Sequence, residues 1–231
     1  MAEIFNSSKT SIIANSAHLY IMDNFIRNII TFCLRYTPID TGRLLSSLYI
    51  KADEVDKIRI GYDLNIAPYA VYVHEIPNIH LNGTRHKFLE DAIIDAKKLT
   101  PGAEEINVVV NIIQTNKGGL LEATLNGKED DFGQYTKAVT ESTDLKILTN
   151  QFISKSDEEG FNLESMLKNA ADLESVTNQL IYSLPASQKV ALMNNKNTTK
   201  NDLRNALVSQ VGQLKFKMPI RFNLNRRPLN I

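Results

Sequence analysis

The side chains best suited to bind a metal lie between residues 74 and 91. They are His74, Glu75, His80, His86 and Asp91. Imidazole and carboxylate groups are ligands of zinc and iron. The helical zinc signature, however, has two histidines four residues apart on one helix, whereas these histidines are six residues apart across a loop with Pro77 and Gly83. We therefore expect ordinary hydrogen bonds in this stretch, and no bound metal or cofactor.

Three other features resemble catalytic motifs, but each lacks something that the chemistry requires. Cys33 is the only cysteine and lies on an apolar helix face, where a buried, inert thiol is expected. Asp40-Thr41-Gly42 is a good turn sequence. Gly118-Gly119 is not followed by the lysine and hydroxyl residue of a phosphate-binding loop. We expect no enzymatic activity; the alternative is a metal-dependent enzyme that uses the three histidines named above.

The C-terminal segment carries a basic cluster. Its cations are Lys215, Lys217, Arg221, Arg226 and Arg227, with Phe216 and Phe222 between them. Apolar residues alternate with polar ones from Leu214 to Leu224, which predicts a β-strand whose aromatic side chains face a core rather than bases. Non-specific contact with DNA phosphates needs only the cations. A DNA-binding module is therefore a second alternative function.

The first element that must position these groups is a long helix. From Lys9 to Arg35, polar residues recur at intervals of three and four on one face, and apolar residues fill the other. At 1.5 Å per residue this helix is about 40 Å long, which exceeds what a small sheet covers. We expect its apolar face to form the core, and part of that face, including Phe25 and Ile29, to meet a neighbouring subunit.

The helix is followed by a turn and a hairpin. Pro38 ends the helix because proline has no amide hydrogen, and Gly42 tolerates the positive φ of a turn. Two extended runs follow, at residues 47–52 and 57–63. Ile58, Ile60 and Tyr62 share one face of the second run. Two antiparallel strands are the simplest interpretation.

Two helices follow the hairpin, and a second hairpin follows the helices. Helical spacing returns at Tyr69, Tyr72 and Val73, and another helix is predicted to begin with Thr84 as its cap. Residues 105–115 and 120–125 predict two more strands.

The polar, acidic run at residues 126–133 is the best domain boundary. We therefore divide the chain into an α+β core domain, residues 1–126, and a mainly helical C-terminal extension, residues 127–231, that ends in a β-strand. The helices predicted in the extension cover residues 163–181, 186–193 and 199–211, and residues 144–153 fit either a helix or a strand.

Three short motifs in a fixed order suggest a family. They are TPIDTGRL at 37–44, PYAVYVHE at 68–75 and FLEDA at 88–92. In this order they resemble the neck and tail-completion proteins of tailed bacteriophages, small proteins that form rings where the head meets the tail. The resemblance covers roughly residues 12–113, about half of the chain. It implies an α+β subunit with a long N-terminal helix against a small antiparallel sheet, and a structural rather than catalytic role.

The composition limits the class of protein further. The chain has 231 residues, 43% of them hydrophobic, and no net charge, which suffices to bury a core. A single cysteine excludes an internal disulfide and favours a reducing compartment. The apolar stretch 12–36 contains Asp23 and Arg27, so we expect no membrane span, and residues 1–10 lack the pattern of an export signal. Acidic residues dominate 116–160 and basic residues dominate 161–231.

The resemblance also implies partners and a location. We expect a homo-oligomeric ring, a hexamer or dodecamer, at the head–tail junction of the virion, assembled in the host cytoplasm. Its other partners would be connector, neck and tail proteins, with non-specific proximity to DNA in the channel and no membrane contact. The candidate interface residues are Phe25, Ile29, Tyr69, Tyr72, His74, Phe216, Arg221, Arg226 and Arg227.

Overall fold

The computed structural model describes residues 3–53, 57–77, 84–115, 118–126, 136–139, 175–194 and 198–216. The helices are α1 (Glu3–Tyr36), α2 (Arg43–Ser46), α3 (Ala70–Glu75), α4 (Phe88–Leu99), α5 (Val176–Ser183), α6 (Ala186–Asn194) and α7 (Lys200–Ser209). The strands are β1 (Leu48–Asp53), β2 (Lys57–Tyr62), β3 (Asn107–Thr115), β4 (Gly118–Asn126) and β5 (Thr136–Val139). These elements confirm the α+β prediction. None of the described helices combines the length and apolarity that crossing a membrane requires.

The strands form one sheet in the order β1-β2-β4-β3-β5. Both predicted hairpins are present, β1 with β2 and β3 with β4, and they join through antiparallel pairing of β2 with β4. The sequence analysis missed β5, which pairs in parallel with residues 111–114 of β3. Four antiparallel strands with one short parallel strand at the edge therefore make up the sheet.

One face of the sheet lies in the core. Ile58, Ile60 and Tyr62 are buried on β2, as their alternation predicted. Their cross-strand neighbours on the same face are buried too. These neighbours are Leu48, Ile50, Ala123 and Leu125.

The other face of the sheet depends on a glycine. Gly61 lies between Tyr49 on β1 and Glu122 on β4 in the strand register. A Cβ at Gly61 would lie 2.5 Å from the carbonyl oxygen of Leu121, so no larger side chain fits. The Tyr49 hydroxyl donates to Glu122 across this gap, and Arg59 lies 3.6 Å from the same carboxylate. Glu122 is therefore buried with partners on the side of the sheet away from α1.

Helix α1 forms the centre of the core. It extends beyond the predicted range of residues 9–35 at both ends. Its fully buried side chains are Met22, Phe25, Ile26, Ile29, Ile30, Cys33 and Leu34. They belong to one apolar cluster with the sheet and α4, which confirms that the helix packs on the sheet region through the predicted face.

The sequence predicted the turn after α1 correctly, but it did not predict where α4 begins. Gly42 has φ 86° and precedes α2, as expected for its turn. The prediction that Thr84 caps α4 is wrong, because the helix begins at Phe88 and its N-cap is Lys87 with φ 56° and no side-chain cap. Lys87 is the only described non-glycine residue with positive φ.

The C-terminal helices largely match the predictions. α6 and α7 lie where expected, and Thr199 and Asp202 form a capping box at the start of α7. The predicted continuous helix 163–181 is wrong at Ser175, which has extended geometry, pairs with Tyr49 of β1 and caps α5. Residues 163–174 and the ambiguous segment 144–153 lie outside the described residues.

The predicted strand Leu214–Leu224 is only partly described. Residues 214–216 form neither helix nor strand, and residues 217–231 lie outside the described residues. The proposed boundary near residue 126 stays a prediction. The described part of the extension nevertheless shares the core of the first part, since Leu180, Leu203 and Leu207 belong to the same buried cluster.

Replacing Ile26 with Asp tests the placement of α1. Ile26 is fully buried, so the change places an unpaired charge in the core, and we expect a loss of about 3–5 kcal/mol in the free energy of unfolding. Chemical denaturation measures it. The matched control is Tyr20→Asp on the same helix, where the side chain is 69% exposed and little change is expected. Equal stability of both variants and the parent would contradict this packing.

Candidate functional site

The C-terminal end of α1 lies inside the protein, and several distant segments meet there. The Thr37 amide and hydroxyl both donate to the Cys33 carbonyl, at 3.0 and 2.7 Å. The Tyr62 hydroxyl lies 2.6 Å from Thr37 Oγ1. Because the Thr37 hydrogen is already donated to Cys33, Tyr62 is the donor in this second bond. The end of α1 is thereby fixed to strand β2.

Arg204 of α7 supplies hydrogen-bond donors to the C-terminal end of α1. Its guanidinium donates to the carbonyls of Arg35 and Thr37, the latter at 2.6 Å. A helix leaves its last carbonyl groups without intrahelical partners, and a cation near this end is also favoured by the helix dipole. Burial lowers the pKa of Arg204 to about 10, so the side chain stays charged at neutral pH.

Arg27 of α1 makes the reciprocal contact with the segment that follows α7. It donates to the carbonyls of Val211 and Leu214, at 2.7 and 3.3 Å, and pairs with Asp23 at 2.7 Å. Its guanidinium also lies over the Phe216 ring, 5.2 Å from the centroid. Arg204 thus binds carbonyls at the end of α1, and Arg27 on α1 binds carbonyls of the C-terminal segment.

A third connection joins α1 to the segment before α4. The Arg85 amide donates to the Tyr36 carbonyl at 3.0 Å, and the Arg85 guanidinium lies 4.0 Å from the centroid of the Tyr36 ring. The Tyr36 hydroxyl donates to Asp95 at 2.7 Å, and Arg85 pairs with Asp95 at 3.0 Å and with Asp91 at 3.5 Å. Burial and the bond to Asp95 raise the pKa of Tyr36 to about 12.

Four polar side chains meet between α3 and α4. Lys87 Nζ lies 2.8 Å from Glu90 Oε2 and 3.4 Å from Glu75 Oε1. His74 Nδ1 lies 3.0 Å from the same Glu75 oxygen. Because an ionised carboxylate only accepts hydrogen bonds, His74 carries its hydrogen on Nδ1. We call these four residues the α3–α4 cluster.

His74 is the most buried member of the α3–α4 cluster. Its side chain is 0% exposed and its ring packs edge-on against Phe88, with centroids 4.7 Å apart. Burial lowers its pKa below the usual value, and the bond to Glu75 opposes this only in part. The imidazole is therefore neutral at pH 7. Its Nε2 has no hydrogen-bond partner in the described part of the chain.

Of the three histidines considered as a metal site, His74 and His86 are described, and they do not belong to one group of candidate ligands. His86 is exposed in the turn before α4, and His80 lies outside the described residues. Among the described residues, His74 instead groups with Glu75 and Glu90. Asp91 pairs with Arg85. Burial raises the pKa of Cys33 to about 12, so the thiol is protonated, as the inert assignment expected.

Most of the candidate interface residues that are described lie inside the subunit. Phe25, Ile29, Tyr69, Tyr72 and His74 are all buried. The structure thus places these five side chains in the core of the chain, and their assignment to an interface stays a prediction. Phe216 is partly exposed and packs against the core and Arg27. Arg221, Arg226 and Arg227 lie outside the described residues.

Sequence reasoning missed several residues of these sites. They are Arg27, Arg85, Lys87, Glu90, Asp95 and Arg204. The spacing of Lys87 and Glu90, three residues apart across the start of a helix, was a usable signal. Nothing in the local sequence indicates that Arg204 reaches the carbonyl of Thr37, 167 residues earlier in the chain.

Comparisons of the chain with protein family models, with curated proteins and with solved structures found no match. The resemblance to phage neck proteins therefore rests on the three motifs in the chain itself.

Acidification tests the environment of His74. Because its folded pKa lies below the unfolded value of 6.5, the unfolded chain takes up the proton first, and the free energy of unfolding falls as pH decreases below about 6.5. One proton contributes a slope of at most about 1.4 kcal/mol per pH unit. Chemical denaturation at pH 5.5 and 7.5 measures the free energy of unfolding at each pH. We expect the difference between the two values to be similar in the parent and in His86→Gln, and smaller in His74→Gln. An unchanged slope in His74→Gln would contradict the assignment.

Proposed function

We propose that this chain is a structural virion protein of a tailed bacteriophage, a neck or tail-completion subunit that works in a homo-oligomeric ring at the head–tail junction. The observation that carries the proposal is a run of contacts through the core. Thr37 bonds Tyr62, the Tyr62 ring packs on Phe88 with centroids 4.9 Å apart, and Phe88 packs on His74.

This run of contacts connects all three family-like motifs. Thr37 belongs to the first motif, His74 to the second and Phe88 to the third. Residues that are separate in sequence therefore act as one packed unit. The fold around them has the features that the resemblance implies, a long N-terminal helix over a small sheet of mainly antiparallel strands.

The orientation of the polar groups in these motifs also favours a structural role. Thr37 and His74 are buried and bond within the chain, and Glu75 and Glu90 bond the ammonium of Lys87. A catalytic group must reach a substrate, whereas these groups hold chain segments together. Assembly is therefore the activity that the described geometry supports best.

An interface between ring subunits must use exposed residues. The described large apolar residues with high exposure are Tyr20 on α1, Ile94 and Leu99 on α4, Tyr182 on α5, and Val190 and Met193 on α6. A closed ring uses a head-to-tail contact, in which two different surfaces of each subunit meet. Exposed apolar residues on α1–α4 and on α5–α6 provide two such surfaces.

Size and shape in solution test this proposal. We expect the purified chain to form a closed ring, measured by light scattering coupled to gel filtration and by negative-stain microscopy. A double change of Val190 and Met193 to Ser should reduce assembly and leave the thermal midpoint unchanged, because both side chains are more than half exposed. A monomer at all concentrations, alone and with other phage neck proteins, would contradict the ring.

Shortening the chain tests whether its C-terminal segment takes part in assembly. Leu214 is buried and Phe216 packs on Arg27, so a chain that stops after Phe216 retains both contacts and is expected to fold like the parent. If residues 217–231 reach a neighbour, the shortened chain melts normally but assembles less. Normal assembly of the shortened chain would exclude the predicted role of Arg221, Arg226 and Arg227 as interface residues.

A further inference from the structure

Ser175 and the helices α5, α6 and α7 form a unit that we call the C-terminal strap. Its helices begin at caps that belong to the unit itself. Ser175 caps α5, and Thr199 and Asp202 form the capping box of α7. The Ser183 hydroxyl lies 3.5 Å from the side-chain oxygen of Gln210, which connects the end of α5 with the end of α7. The strap therefore contains the local interactions that define its own helices.

The hydrogen bonds that the strap donates to the rest of the chain reach the ends of two other helices. The Ser175 hydroxyl donates to the Ser46 carbonyl at 3.1 Å, and the Thr177 hydroxyl donates to the Leu45 carbonyl at 2.7 Å, both at the end of α2. Arg204 makes the corresponding bonds at the end of α1. Carbonyl groups at a helix end bond to water when they are exposed. These carbonyls therefore keep hydrogen-bond partners when the strap leaves.

The charge of Arg204 opposes docking of the strap. Arg204 is buried, and among the described residues no ion pair joins the strap to the rest of the chain. Its Nε also has no hydrogen-bond partner in that part of the chain. Loss of hydration on burial is the main reason why the pKa of Arg204 falls to about 10. The guanidinium regains this hydration when the strap opens.

Apolar packing favours the docked form. Leu180, Leu203 and Leu207 of the strap are fully buried in the same cluster as α1. The polar residues Thr177 and Arg204 are buried beside them. A contact that mixes apolar and polar groups in this way is typical of an interface between domains. We propose that the C-terminal strap opens and closes as one unit while α1, α4 and the sheet stay folded.

The strap carries one of the two surfaces of the proposed ring contact. Its exposed apolar residues are Tyr182, Val190 and Met193, whereas Ile94 and Leu99 are exposed on α4. Only the docked strap holds these two surfaces in a fixed relative position. The next step rests on the proposed function: the docked subunit assembles, and opening of the strap withdraws a subunit from assembly.

Amide hydrogen exchange of the full-length chain tests whether the strap opens as a unit. In the parent we expect the amides of α5 and α7 to share one protection factor, lower than that of α4 and β2. Thr177→Val removes the bond to Leu45 and should speed exchange about tenfold in both α5 and α7. Leu207→Ala removes buried apolar contacts and should speed exchange in both helices at least about thirtyfold.

Leu89→Ala is the matched control for Leu207→Ala. Leu89 is equally buried in the same cluster but lies on α4. Because α4 stays folded in the open form, this change should speed exchange in α4 and β2 and leave α5 and α7 unchanged. If Leu207→Ala does not fold, Thr177→Val and Leu89→Ala decide the matter.

Three results would overturn the proposal. They are one common protection factor for α4, α5, α7 and β2 in the parent, faster exchange of Thr177→Val in α5 alone, and equally faster exchange of Leu89→Ala in all four elements. Exchange is read from the single chain, so its outcome is separate from that of the ring measurement.

Discussion

The structure depends on one constraint: α1 ends inside the protein, so the carbonyl groups of its last turn must find donors away from water. Unpaired, each would cost about 1–3 kcal/mol. Thr37 serves the Cys33 carbonyl, Arg85 serves Tyr36, and Arg204 serves Arg35 and Thr37. The donors come from three separate parts of the chain. The end of this helix therefore fixes the positions of the loop before α4 and of helix α7.

The same constraint explains why the C-terminal helices belong to the core. A long helix over a small sheet leaves apolar surface that the sheet does not cover, and α7 supplies Leu203 and Leu207 to cover it. Arg204 and Arg27 then fix the register of α7 along α1 from both ends. A buried arginine without its acceptors is costly, so this docking is specific as well as favourable. Apolar contact alone would permit α7 to slide along α1.

Short-range patterns in the sequence predicted the features that depend on neighbouring residues. The alternation of Ile58, Ile60 and Tyr62 identified the buried face of β2, because side chains of a strand alternate between faces. The strand β5 was missed, since its four residues gain their stability from pairing with β3. Phe25 and Ile29, which were expected at an interface, are buried in the core of this chain. An amphipathic helix shows which face is apolar, but the sequence does not distinguish a face that meets its own core from one that meets a neighbour.

The three motifs bear on the fold and on the function in different ways. Thr37, His74 and Phe88 carry the resemblance to phage neck proteins, and all three are buried. Buried residues determine how the chain packs, whereas binding partners contact exposed ones. The motifs therefore argue for the fold of the subunit directly, and for ring assembly only through the surfaces that this fold presents. Those surfaces include Tyr182 and Val190, which lie outside the family-like part of the sequence. Under the proposed function, specificity for neighbouring proteins would then depend on residues that the motifs do not contain.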